Sequence, residues 1–209
     1  MEPDIQTIRL SDDSARPTLL QAVLAGVGAR LNARDLGALC ATSTEGAAAS
    51  AAPEFWATLD LTPIADPPAF LQSSLAHSSR FQDVISLSIQ FCPELRDAHL
   101  EVLPAWALRS LALDACHGLT DEGVKAAIKQ WGKTLQSLSL YWNNNLTKSA
   151  ALAVSLRCTD LRSLSFSGCS LVSSAGILAI ASRCRKLRLL NLTRLLQVDD
   201  TALATLAQV

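Results

Sequence analysis

The stretch LRSLALDACHGLTDEGV, residues 108–124, decides the fold. Leu111 and Leu113 alternate as in a short strand with one buried face. Thr120 and Asp121 follow as candidates for a helix N-cap, where a side-chain oxygen accepts from an orphan backbone N–H. The pattern recurs: Leu108, Leu135, Leu161 and Leu187 are spaced by 27, 26 and 26 residues, with the same residue types at the same offsets from each. Offsets three and five are Leu111 and Leu113, Leu138 and Leu140, Leu164 and Phe166, Leu190 and Leu192. Offset eight is Cys116, Asn143, Cys169 and Leu195, and offsets 12 and 13 are polar in all four units. A shorter unit starts at Val84, 24 residues before Leu108, with Leu87, Ile89, Cys92, Leu95 and Asp97 in register. About five units are visible at this period.

Each unit is a strand, a turn and a helix, and one unit alone cannot cover its apolar face. Ile177, Ile180 and Cys184 mark the inner face of one such helix. Stacked units set parallel strands about 4.8 Å apart while helices need about 10 Å, which bends the stack into an arc with the strands inside. The expected architecture is therefore an α/β solenoid, with a curved parallel sheet inside and helices outside. Offset eight lies where the chain leaves the strand. A buried Asn there can pair with loop backbone groups, and Cys is a small, weakly polar substitute. In the 27-residue unit Trp131 stands where Cys158 and Cys184 stand later, and its extra residue is expected to bulge the loop after the helix.

Read as Leu-x-x-Leu-x-Leu-x-x-Cys-x-x-Leu-Thr-Asp-x-Gly-Val, residues 108–124 resemble the cysteine-containing subclass of leucine-rich repeats, and the resemblance covers roughly residues 84–209. Upstream, RPTLLQAVLAGVGARLNARDLGALCATS begins at Arg16, with Leu20, Val23, Leu24 and Val27 at helical spacing, and FWATLDL spans residues 55–61. A Leu-rich helix, then Arg34-Asp35-Leu36 with Leu39, then Trp56 with Leu59 and Leu61, is similar in order to an F-box. That resemblance implies a small α-helical segment binding the adaptor subunit of cullin-type ubiquitin ligases, with Leu19, Leu20, Leu36 and Leu39 facing the adaptor. A helical cap over the first repeat needs only the apolar periodicity and stands as the other reading. The chain then divides into an F-box-like helical segment with an Ala/Ser-rich linker at 1–55, a transition and irregular first repeat at 56–83, and about five leucine-rich repeats at 84–209.

Composition narrows the function classes. The 209 residues hold 18 Lys+Arg against 19 Asp+Glu and are 49% apolar, so no basic excess points to nucleic acid or an anionic membrane. Apolar runs such as residues 19–27 stop well short of the roughly 18 residues of a membrane span. Without a basic-then-apolar leader, the expectation is a soluble intracellular protein, cytoplasmic or associated with the cilium or cytoskeleton. Five of the six cysteines sit at repeated offsets, which favours buried thiols over disulfides or a metal site. Gly132-Lys133-Thr134 lacks the glycine a phosphate loop needs five positions earlier, where Ala127 stands. His77, His99 and His117 fit no ligand spacing, and no Gly-x-Ser-x-Gly elbow occurs. No enzymatic activity, cofactor or metal is expected.

A binding surface remains. Strand alternation turns offsets two, four and six out of the concave face, which makes it mostly small and serine-rich: Ser86, Ser110, Ser137, Ser163, then Ser88, Ala112, Ser139, Ser165, then Gln90, Asp114, Tyr141, Ser167. The larger groups Phe91, Asp114, Tyr141, Trp142 and Arg194 at its rim are the candidate protein-binding residues, since aromatics and Arg dominate interface hot spots. Phe91 and Trp142 could instead pack on a neighbouring turn. Leu203 and Leu206 in the last unit, which lacks a polar capping repeat, are expected to be covered by a partner protein or a second copy. Two functions fit: a substrate-recognition subunit of a cullin-type ubiquitin ligase, or a structural subunit of a large assembly such as the nexin-dynein regulatory complex of the ciliary axoneme, where relatives with F-box and repeats occur.

Overall fold

The computed structural model describes residues 56–62, 64–72 and 81–206. Leu19, Leu20, Leu36 and Leu39 lie outside these residues, as do Cys40 and His77. Six strands, β1 (Thr58–Asp60), β2 (Ser86–Ser88), β3 (Ser110–Ala112), β4 (Ser137–Ser139), β5 (Ser163–Ser165) and β6 (Leu189–Asn191), form one sheet in sequence order. Every adjacent pair is parallel. Between and after them come α1 (Pro67–Phe70), α2 (Asp97–Glu101), α3 (Asp121–Trp131), α4 (Lys148–Arg157), α5 (Ser174–Arg183) and α6 (Asp200–Leu206). The fold is a leucine-rich-repeat solenoid.

Register follows the repeat. Leu59, Leu87, Leu111, Leu138, Leu164 and Leu190 are aligned partners across the sheet. The first five of these are buried, and Leu190 is partly buried. Trp56, Leu59 and Leu61, which close the F-box-like order in the sequence, occupy offsets zero, three and five of the first coil and are buried there. Leu61 N donates to Ser88 O at 2.8 Å, continuing the ladder past β1.

The extra residue of the 27-residue unit goes elsewhere than expected. It lengthens α3 to 11 residues against 10 in α4 and α5, and three residues still separate the helix end from the next Leu in that unit and the following one. Trp131 carries this added length because it has a site to fill. It is fully buried, stacks on Trp106 at 6.3 Å, and donates its indole N–H to Pro104 O at 3.0 Å. The preceding 24-residue unit has only the five-residue α2, so Trp106 and Trp131 occupy the volume a longer helix would take.

Two side-chain pegs lock adjacent coils. At offset eight, Asn143 is buried; its Oδ1 accepts from Cys116 N at 2.9 Å, and its Nδ2 donates to Leu113 O at 2.7 Å and Leu140 O at 3.0 Å. The thiols of Cys116 and Cys169 donate at the same register, to Ile89 O at 3.2 Å and Leu140 O at 3.0 Å. The second peg is at offset 13. Asp97 accepts from Thr120 N and Oγ1 at 2.9 and 2.6 Å, and Asp121 accepts from Thr147 N and Oγ1 at 2.9 and 2.6 Å. The same threonines cap their own helices, accepting from Glu122 N and Ser149 N. Gly123 is needed beside this peg, because a Cβ there would lie 2.2 Å from Asp97 Oδ1.

Removing a buried, fully bonded amide strands the donors and acceptors it served. Asn143→Ala is expected to lower the unfolding free energy by about 2–4 kcal/mol, and Asn143→Cys by less, since a thiol serves this register in two other coils. Urea denaturation followed by circular dichroism measures both, and equal losses would contradict the peg.

Candidate protein-interaction surface

The chain leaves each strand from β2 to β6 through one residue in the left-handed region. Phe91, Ala115, Trp142 and Arg194 have φ of 54°, 53°, 57° and 61°, and Gly168 has 79°. All five are at offset seven. The turn imposes this conformation, which costs a non-glycine residue roughly 1–2 kcal/mol. Glycine meets the demand freely at one coil, yet three coils carry large side chains there. Phe91 is 64% exposed, Trp142 is 42% exposed, and Arg194 is exposed.

The structure brings three of the five candidate residues into one array. The rings of Tyr141 and Trp142 are 5.3 Å apart, and the Arg194 guanidinium lies 5.9 Å from the Trp142 ring centre, on the far side of the intervening coil. Trp142 spans that coil because Gly168 is small: a Cβ there would stand 2.3 Å from Trp142 Cδ1. Trp142 thus packs on a neighbouring turn and remains displayed. Asp114 joins the array at its base. Its Oδ1 accepts from Ser139 Oγ at 2.6 Å and from Tyr141 N at 2.9 Å, so its carboxylate orients the Tyr141 strand end. Phe91 stands apart, linked to Asp114 only through the backbone, its N donating to Asp114 O at 2.8 Å. It has no aromatic partner among the described residues.

Below this rim the open face is half-exposed serine. Ser86, Ser88, Ser110, Ser137, Ser139, Ser163 and Ser165 are all intermediate in burial, whereas Ser167, expected on this face, is buried. Short hydroxyl side chains let a partner backbone approach the sheet. Arg109, Arg162 and Arg188 at offset one are exposed along the opposite edge.

The described cysteines are structural thiols. Burial pushes Cys116 and Cys158 up to about 12 and Cys169 up to about 11, and raises Cys92 and Cys184 as well. Among the described residues no group of three or more His, Cys, Asp or Glu is placed to hold a metal ion, and no helix is long and apolar enough to cross a membrane. His99 has a local task, its Nδ1 accepting from Arg96 N at 2.9 Å at the start of α2. The Asn145 amide donates to His117 O at 2.7 Å across coils. Near the last coil, Leu187, Leu190, Leu192 and Leu206 line a hollow of about 410 Å³, and Leu203 is exposed.

Fold and surface together define a leucine-rich-repeat solenoid with an aromatic and cationic rim. No family model matches the chain. The chain is similar to an F-box/LRR-repeat type of protein: F-box/LRR-repeat protein 12 of Arabidopsis thaliana is 35% identical over 89 residues, 40% of this chain and 22% of that protein. The chain thus spans under a quarter of that relative's length. Among solved structures, a chain in the crystal structure of the Rad7 and Elc1 complex in yeast matches with a TM-score of 0.51 at 17% identity, covering 60% of this chain and 41% of that one. That likeness is one of fold.

Two measurements check this surface. The described thiols should resist a disulfide reagent at pH 8 in a Cys40→Ser background and react only on unfolding. Unfolded thiols ionise near 9.0, whereas buried Cys116, Cys158 and Cys169 keep their protons to about 11–12. Their contribution to stability is therefore complete below pH 9 and is lost as pH rises through that window. A fast-reacting thiol in the native chain would contradict the burial. The second reads the rim: of the four tryptophans, Trp56, Trp106 and Trp131 are buried. Acrylamide should quench mainly Trp142, so Trp142→Phe removes the quenchable emission and Gly168→Ala shifts it. Unchanged quenching in both variants would refute the arrangement.

Proposed function

We propose that the chain is a non-catalytic protein-interaction module that holds a partner protein on the open face of its sheet. In this reading Tyr141, Trp142 and Arg194 are the anchors, Asp114 positions them, and Phe91 forms a second contact about two strands away. The observation that carries it is the choice of residues at offset seven. The fold needs only a left-handed residue there, and exposed Phe, Trp and Arg add strain that packing within the chain does not return for Phe91. Aromatics and Arg at a rim, beside a smooth polar floor, are the composition of a binding hot spot.

The finer assignment is a substrate-recognition subunit of a cullin-type ubiquitin ligase. Leu19, Leu20, Leu36 and Leu39 would hold the ligase adaptor, and the rim the protein to be modified. The F-box/LRR-repeat relative and the solved neighbour, a complex of Rad7 with Elc1, support this reading.

Co-expression with the small adaptor subunit tests it. Stoichiometric co-purification is expected, lost on Leu36→Asp and retained in Trp142→Ala, Arg194→Ala. Comparing proteins captured from the source cell, the double rim variant should lose those bound by the wild type while still holding the adaptor. A chain that purifies free of adaptor would reject the ligase assignment, and an unchanged captured set would reject the rim.

A further inference from the structure

Helix α4 presents leucines to the outside. Its sequence is KSAALAVSLR, and the structure buries Ala150, Ala151, Val154 and Ser155 while Leu152 and Leu156 are 39% and 59% exposed. The buried Ser155 hydroxyl returns to Leu152 O at 2.8 Å within its own helix. A helix on the outer surface of a solenoid normally shows polar residues to solvent; one that is apolar on all sides is normally covered on all sides. Leu152 and Leu156 are one helical turn apart and share a face.

This face forms the floor of a groove of about 330 Å³ between α3 and α4, made by Ile128, Leu152, Ala153 and Leu156, with Lys125 and Arg157 at its margins. The groove continues past Leu156 and Arg157 towards Lys133, Thr159 and Asp160. Gly132 allows this continuity, since Arg157 Cβ would lie 3.1 Å from a Cβ at that position. The unpaired charges in its lining are cationic. Lys125 is paired with Glu122 at 2.7 Å and Asp160 with Lys186 at 2.7 Å, so each of these pairs is close to neutral. Of the described residues that line it, Lys133 and Arg157 have no acidic partner.

We infer that the groove between α3 and α4 takes an amphipathic helix of a partner protein, with leucine-like residues one turn apart and acidic residues on its flanks. Helix-in-groove recognition needs an apolar floor at this spacing, and the cationic margin selects acidic flanks. The charge also argues against two other occupants. A second copy meeting this face by a two-fold axis would set Lys and Arg against Lys and Arg. The chain's own Leu-rich stretch at 17–39 carries Arg30 and Arg34 against Asp35 and is likewise cationic. The site lies on the opposite side of the solenoid from the Trp142 rim and is independent of it.

The probe is a fluorescein-labelled synthetic helix of about four turns, with Leu at i, i+3, i+4 and i+7 and Glu on the flanks, read by anisotropy against the full chain. A counterpart with Lys for Glu is the control. The acidic peptide should bind at least about tenfold more tightly than the basic one, with affinity falling as salt rises. Leu156→Glu and, separately, Arg157→Glu should each weaken it about tenfold, while Trp142→Ala, Arg194→Ala leaves it unchanged. Circular dichroism and the unfolding midpoint confirm that the variants, both at exposed positions, remain folded. Equal binding of the two peptides, or insensitivity to both groove variants, would overturn the inference. So would a wild-type dimer that Leu156→Glu converts to monomer, which would make the occupant a second copy. An Asp12→Lys, Asp13→Lys variant of the full chain that binds the peptide about tenfold more tightly than wild type would overturn it in favour of the chain's own acidic N-terminal stretch.

Discussion

No coil of this protein can bury its own leucines; each relies on the next. A three-residue strand offers two inward side chains at most, and these stay dry only because partners at the same offset stand one strand spacing away on either side. From Leu59 to Leu164 the aligned leucine of every strand is almost inaccessible. Hydrophobic stacking is nondirectional, however, and does not by itself set register. Register comes from the polar pegs, in which Asn143, Cys116 and Cys169 reach carbonyls of the preceding coil, and Asp97 and Asp121 cap the entry of the following one. With offsets zero, three, five, eight, 12 and 13 given to holding the coils together, the open face and the left-handed corner are what the sequence is free to vary.

The left-handed corner shows how fold and surface constrain each other. Its conformation is demanded by the turn after each strand from β2 to β6, whatever residue is there. Gly168 is the one glycine among the five, and it lies under the Trp142 indole. Relief of strain at one coil makes room for the display of a large side chain from its neighbour, which then meets Arg194 from the coil beyond. The three residues act as one unit, since a Cβ at the middle position would separate the other two.

What recurs at a fixed period was readable in the sequence. The leucine spacing, the inward pair, the polar helix start and the role of offset eight all repeat within single units, so local pattern exposes them. What failed to show was set between units. The extra residue in α3 follows from the Trp106 and Trp131 stack, and those two side chains belong to coils of different length. Asp97 and Asp121 looked like helix-cap residues, while their partners are 23 and 26 positions downstream. Leu59 and Leu61 resembled the tail of a helical motif because the first strand stands outside the regular spacing. Of the five rim residues, exposure and alternation were legible, but the convergence of Trp142 and Arg194 over Gly168 was not, because it depends on how three turns stack. The outward leucines of α4 escaped notice for the opposite reason: within a repeat, a leucine is presumed to face inward.

The unit from 135 to 160 departs from its neighbours in several ways that have one physical consequence. Its offset-13 residue is Lys148, which cannot accept hydrogen bonds, so the cap that Asp97 and Asp121 supply is missing at the next coil, and Ser173 starts α5 without a side-chain cap. The junction is held by close helix packing instead. Gly176 brings α5 so near α4 that a Cβ would fall 2.7 Å from Ala151 Cβ, and Ala151 is buried at this contact. Small residues turned inward leave the bulky apolar residues of α4 to face outward, which is how Leu152 and Leu156 come to be exposed. The same unit displays Trp142 on its sheet side and is fastened upstream by Asn143, the peg with the most hydrogen bonds at that register. A coil that presents side chains on both of its surfaces can spare little of its own packing to hold register, and the buried amide of Asn143 supplies what a thiol at that position could not.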